Sequence, residues 1–190
     1  MTEQDYTRVV RAIRLALSAR ERLIVAIDGR CGSGKTTLAA RLQKELQCTV
    51  YHMDDFFLRP QQRTKERLSQ PGENVDHERF LDEVLLPLRS GQAVTYRPYV
   101  CSRQQLGEPV TMVPDRLTIV EGSYSCHPAL REYYDLRIFL TIEPQEQLRR
   151  IEVRGGAAKA QQFRDRWIPL EEHYFQAFDV QTQCDMCISG

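Results

Sequence analysis

Residues 23–37 read LIVAIDGRCGSGKTT. Leu23 to Ile27 is a short unbroken apolar run, the pattern of a strand buried on both faces of a parallel sheet. Gly29 to Thr36 then fits G-x-x-x-x-G-K-[ST] at every fixed position. At ordinary residue frequencies such a match arises by chance in a chain of this length with a probability of about 1% or less. Leu38, Leu42 and Leu46 mark a helix directly after it. Strand, glycine loop and helix in this order make a phosphate cradle. Glycines let the backbone curl so that successive N–H groups point inward, and the helix adds free N–H groups and the positive end of its dipole. The predicted nucleotide-binding residues are Gly29, Arg30, Cys31, Gly32, Ser33, Gly34, Lys35, Thr36 and Thr37. Lys35 brings a compact charge to the β- and γ-phosphates, and the Thr36 hydroxyl is a hard oxygen ligand suited to Mg²⁺. Positive charge around the loop is expected to lower the pKa of the Cys31 thiol.

The rest of the chain fits one domain, residues 1–190. Hydrophobic residues make up 42%, enough for a core, and 26 basic residues balance 26 acidic ones. A chain without net charge is not a polybasic nucleic-acid binder. No apolar run approaches membrane-spanning length. Six cysteines without framework spacing read as reduced thiols in a cytoplasmic protein.

Tyr6, Val9, Val10, Ile13 and Leu17 recur at helical spacing and predict an amphipathic helix within residues 1–20. Further strands are expected at 48–53, 117–120, 136–142 and 186–189. Helices are expected after Asp76, from Pro144 to about Arg154, and from Arg164 to Phe178. Residues 54–75 are polar and aperiodic and read as a functional loop or mobile region. Residues 91–114 read as a protruding β-ribbon. Strands alternating with helices predict a three-layer α/β/α fold around a parallel five-stranded sheet.

In such a sheet the C-terminal strand ends meet at the ligand crevice. The second strand leads into Met53-Asp54-Asp55-Phe56-Phe57, and the third ends at Glu121. A carboxylate beside the phosphates can orient an incoming alcohol and accept its proton late, which suits a loose phosphoryl-transfer transition state. Glu121 would join Thr36 around Mg²⁺. Trp167 reads as packing between a mobile segment and the core.

GRCGSGKTT at 29–37, MDDFF at 53–57, NVDHERF at 74–80, IVEG at 119–122 and the arginine-bearing stretch 148–154 occur in one order. In that order they resemble the uridine kinase family of P-loop kinases, with nicotinamide riboside kinase and phosphoribulokinase as relatives. The resemblance implies a P-loop NTPase fold of the nucleoside-monophosphate-kinase kind, with a lid at about 154–166. It implies ATP and Mg²⁺ as cofactors and a small-molecule hydroxyl acceptor, a nucleoside 5′-hydroxyl first, with no nucleic-acid or membrane partner. A homo-oligomer is compatible with it. By position it makes Asp54, Lys35, Arg150 and Arg154 catalytic. It assigns Asp54, Phe57, Asp76, His77, Tyr96 and Arg149 to the acceptor, and Thr36 and Glu121 to the metal. Asp76 also suits a helix N-cap. Where uridine kinases carry a base-contacting histidine, this chain has Cys101. Other acceptors stand beside the nucleoside: nicotinamide riboside, pantothenate or a sugar phosphate. So does a P-loop nucleotide-binding protein without kinase activity.

Overall fold

The computed structural model describes residues 1–190. Helix α1 (Glu3–Ser18) opens the chain on a capping box in which the Thr2 side chain accepts from the Asp5 N–H. Strand β1 (Leu23–Gly29) runs into the glycine loop, and α2 (Lys35–Leu46) leaves it. Strand β2 (Thr49–His52) follows, then a 3₁₀ turn (Met53–Phe56). The stretch read as a functional loop carries a second 3₁₀ turn (Pro60–Gln62) and a short helix α3 (Lys65–Leu68), and is tied back by a bridge between Phe57 and Val75. Next come α4 (His77–Phe80), a π-turn (Leu81–Leu85) and α5 (Leu86–Arg89) as one continuous helical run.

Two small antiparallel ladders follow. β3 (Val94–Tyr96) pairs with β6 (Val110–Met112), and β4 (Tyr99–Val100) with β5 (Gln105–Leu106). Strands β7 (Leu117–Glu121), β8 (Leu136–Thr141) and β9 (Met186–Ser189) complete the main sheet. Between the last two lie α6 (Pro144–Gly155), α7 (Ala157–Gln162), a second π-turn (Phe163–Trp167), α8 (Ile168–Ala177) and α9 (Val180–Gln183). Each π-turn lies just before a proline, Pro87 or Pro169. Proline lacks an N–H and its ring presses on the carbonyl four residues back, and a widened turn relieves both problems.

The five-stranded sheet has the order β2-β7-β1-β8-β9, every pair parallel. All seven residues of β1 are buried because the sheet is covered on both faces. Leu23, Val25 and Ile27 pack with α1 and α2 through Val9, Ile13, Leu38 and Leu42. Ile24 and Ala26 point the other way, into a core built from Tyr51, Phe56, Phe80, Phe139 and Tyr174. Helix α1 thus covers an outer face of the sheet. No helix is long and apolar enough to cross a membrane.

Candidate active site

The cleft opens where the sheet order places the ends of β1, β2 and β7 side by side. It has a volume of about 950 Å³ and is lined on one side by Gly32, Gly34, Lys35, Thr36 and Thr37. The loop turns on glycines in backbone regions that L side chains avoid: Gly29 has φ +137° and Gly34 φ +98°. A Cβ on Gly29 would stand 2.0 Å from the Leu140 carbonyl oxygen, so the loop also needs a residue with no side chain there. Lys35 is buried beneath the loop. Its Nζ donates to the carbonyls of Gly29 (2.6 Å) and Arg30 (3.1 Å) and to Ser123 Oγ (3.3 Å).

Across the loop, the Thr36 hydroxyl donates to both carboxylate oxygens of Glu121 at 3.2 Å. His52, the last residue of β2 and paired in register with Glu121, holds the same carboxylate through Nδ1 at 2.6 Å. That hydrogen bond raises the pKa of His52. A hydroxyl and a carboxylate placed together are hard oxygen donors, and this pair fits Mg²⁺.

Asp54 and Asp55 divide. Asp55 accepts a 2.9 Å hydrogen bond from the Tyr96 hydroxyl. Asp54 faces the cleft opposite Lys35 and bonds to no protein group. Its surface is open to water in the cleft, while the walls shield it on its other sides. That desolvation raises its pKa; Lys35 opposes the rise, and the Glu121 and Glu171 carboxylates add to it. Phe57, Arg63, Asn74, Cys101 and Gln104 line the cleft beyond Asp54.

The helical wall comes from α6 onward. Arg150 and Arg154 line the cleft. Arg150 donates to the Gly32 carbonyl at 3.2 Å and to Glu146 at 2.8 Å. Gly156, with φ +82°, separates α6 from α7, and the second π-turn brings Phe163, Arg166 and Trp167 to the cleft. Trp167 lines the cleft instead of being sealed in packing, with the Arg166 guanidinium 4.6 Å from its ring centre.

Four residues expected at the acceptor lie outside the lining. Tyr96 is buried against Phe56 and Tyr51, its ring centre 5.1 Å and 6.1 Å from theirs, and its hydroxyl is taken by Asp55, so it has no free face for a planar acceptor. His77 stacks on His127 with ring centres 4.1 Å apart and bonds Glu73 at 2.9 Å. Asp76 is buried; it caps α4 through the Arg79 N–H (3.3 Å) and accepts from Gln62 (2.8 Å). Arg149 is exposed and chelates Glu146 with two bonds at 2.6 and 2.8 Å. The Arg30 side chain also turns away, pairing with Glu172 (2.6 and 3.0 Å) and Thr141 (2.6 Å). The Cys31 thiol is buried, and burial with the nearby Glu171 carboxylate pushes its pKa up, not down. Local positive charge is outweighed by desolvation.

Sequence reasoning missed Asp28. This fully buried carboxylate accepts from the N–H groups of Gly29 (2.6 Å), Tyr124 (3.1 Å) and Cys126 (2.8 Å) and from the Tyr174 hydroxyl (2.8 Å). It ties the glycine loop to the segment after β7. Burial pushes its pKa up to about 6 against the pull of these donors. A lone acid closing an apolar strand was the available signal. His52, Ser123 and Glu171 were also missed. Only His52 had one, as the residue next to MDDFF.

A strand-loop-helix cradle, a hydroxyl–carboxylate pair beside it and an unbonded carboxylate opposite thus share one cleft. Two uridine kinases, from Staphylococcus haemolyticus (strain JCSC1435) and Macrococcus caseolyticus (strain JCSC5402), are each 30% identical over 128 residues. Those residues are 62% of this chain and 60% and 61% of the two relatives, so the match spans about three fifths of their length. Among solved structures, one described as a possible uridine kinase from Bacillus stearothermophilus superposes with a TM-score of 0.75 at 21% identity, covering 99% of this chain and 100% of that one. Phosphoribulokinase from Rhodobacter spheroides superposes with a TM-score of 0.60 at 14% identity over 89% of this chain and 70% of that one. Both show a common fold. The model of the phosphoribulokinase/uridine kinase family matches residues 24–155, from the first strand through the arginines of α6, and the chain belongs to that family.

Proposed function

We propose that the protein is an ATP- and Mg²⁺-dependent kinase that phosphorylates a hydroxyl of a small metabolite, with a nucleoside 5′-hydroxyl as the first candidate. The observation that carries this reading is Asp54: a carboxylate with no protein partner, facing the cradle across a cleft of metabolite size. Asp55, its neighbour, is instead taken up by the Tyr96 hydroxyl.

The backbone N–H groups of the loop at 29–36 and Lys35 would hold the triphosphate tail. Thr36 and Glu121 would hold Mg²⁺, which when bound offsets charge on the β- and γ-oxygens. Asp54 would accept the hydrogen bond of the acceptor hydroxyl and take its proton late, a role that its raised pKa assists. Arg150 and Arg154 would meet charge on the moving phosphoryl group. Phe163 and Trp167 would shield it from water, which would otherwise compete with the acceptor.

The burial of Tyr96 and the presence of Cys101 in the cleft favour a second reading, in which the acceptor is another small alcohol. One experiment separates these. ATP and Mg²⁺ are supplied with uridine, cytidine, nicotinamide riboside, pantothenate or a sugar phosphate, and ADP release is followed. Release stimulated by one acceptor identifies it. Release indifferent to all of them, and stimulated by a macromolecule, contradicts the kinase reading.

A further inference from the structure

Two adjacent carboxylates of α8 reach the glycine loop. Glu172 grips the Arg30 side chain from outside. Glu171 enters the cleft, although its side chain is almost wholly buried. One of its oxygens accepts the Cys31 N–H at 3.0 Å, and the other accepts the Ser123 hydroxyl at 2.5 Å. Ser123 Oγ in turn accepts from Lys35 Nζ at 3.3 Å. An anion of the protein itself is therefore bonded to a backbone N–H of the phosphate loop and linked through one hydroxyl to the loop's lysine.

We propose that Glu171 is an internal competitor for the phosphate cradle, which a triphosphate must displace in order to bind. This rests on reading the cleft as a triphosphate site. A carboxylate and a phosphate are both acceptors with negative charge, and they cannot share the Cys31 N–H and the field of Lys35 without repulsion. Displacement leaves Glu171 free to turn toward the helical wall. Trp167 lies four residues earlier, one helical turn away, and also lines the cleft. It is the chain's single tryptophan. Glu171 thus sets nucleotide affinity as a positioning residue, and its departure is reported at Trp167.

The test compares the full chain with Glu171→Gln. Glutamine keeps an oxygen for the Cys31 N–H and removes the charge. ADP binding is measured by calorimetry and Trp167 emission is followed in the same titrations. A cradle held by its own carboxylate nine-tenths of the time weakens apparent affinity about tenfold, so the variant is expected to bind ADP about tenfold more tightly. KM for ATP is expected to fall with it. A role in merely holding the loop predicts equal or weaker binding, and that result overturns the proposal. The unaltered chain provides an independent check: ADP is expected to change acrylamide quenching of Trp167, and unchanged quenching on saturation with ADP overturns the proposal even if the variant does not fold. Binding of ADP by neither protein overturns the triphosphate reading and this proposal together. Equal binding by both overturns this proposal alone.

Discussion

Asp54 and Asp55 are consecutive acids on one 3₁₀ turn, yet Asp55 is bonded to the Tyr96 hydroxyl at 2.9 Å while Asp54 has no protein partner. The turn sends one side chain into the aromatic core beneath the β-ribbon and the other into the cleft. A stability contrast follows. Asp55→Asn weakens a charge-assisted hydrogen bond to a buried tyrosine and is expected to cost about 1–3 kcal/mol. Asp54→Asn breaks no bond and relieves repulsion from Glu121 and Glu171, so stability should hold or rise slightly. Urea unfolding of the two variants at neutral pH makes the comparison.

Glu121 joins two elements of the site, accepting from Thr36 and bonding His52. Glu121→Gln keeps the shape and loses the charge that would hold Mg²⁺. The Mg²⁺ concentration for half-maximal activity is expected to rise about tenfold or more, in line with the loss of one charged ligand. Titration of Mg²⁺ at saturating ATP measures it, and chelation by EDTA should abolish turnover in both forms.

Gly29 leaves no room for a side chain. Its φ of +137° is unfavourable for any L residue, and a Cβ would overlap the Leu140 carbonyl. Gly29→Ala must therefore shift β1 against β8 at the centre of the sheet. A loss of about 3 kcal/mol or more is expected. Gly34→Ala meets no atom within 4 Å and pays only for its φ of +98°, so it should cost less. Thermal unfolding of the pair distinguishes steric overlap from backbone strain.

His127 provides a pH dependence. It is buried under Gly72, stacked on His77, and its Nδ1 accepts the Ala129 N–H at 3.3 Å. Burial, with His77 alongside, lowers its pKa to about 3 from 6.5. Between these values the unfolded chain binds a proton that the folded chain does not, so stability falls as pH drops through this window. The slope contributed is at most about 1.4 kcal/mol per pH unit. Melting temperatures from pH 7.5 to 4.5 should show a steeper acid loss for the unaltered protein than for His127→Phe, which keeps a ring and cannot charge.

Motifs that act through backbone or through neighbours in sequence were readable beforehand. The glycine loop, the buried strands and the parallel sheet follow from period and spacing, because an apolar run and a glycine spacing carry their own geometry. The resemblance put Tyr96 and His77 at the acceptor, but the fold gives both to packing. Tyr96 points inward on β3 on the same face as Val94, and His77 turns toward His127 from fifty residues away. Such pairings depend on tertiary contacts that no local pattern carries. The same holds for Glu171, which reaches Cys31 across 140 residues, and for Ser123 between them. Asp28 could have been suspected, since an acid ending an apolar strand must find donors once buried.

The most direct test of the account is acceptor-dependent ADP formation by the unaltered chain and by Asp54→Asn under identical ATP and Mg²⁺. A carboxylate that aims and deprotonates the acceptor predicts a fall in kcat of about 10²–10⁴-fold, with ATP affinity changed by no more than a few fold. Full transfer activity in Asp54→Asn, or ADP formation that needs no acceptor at all, would contradict it.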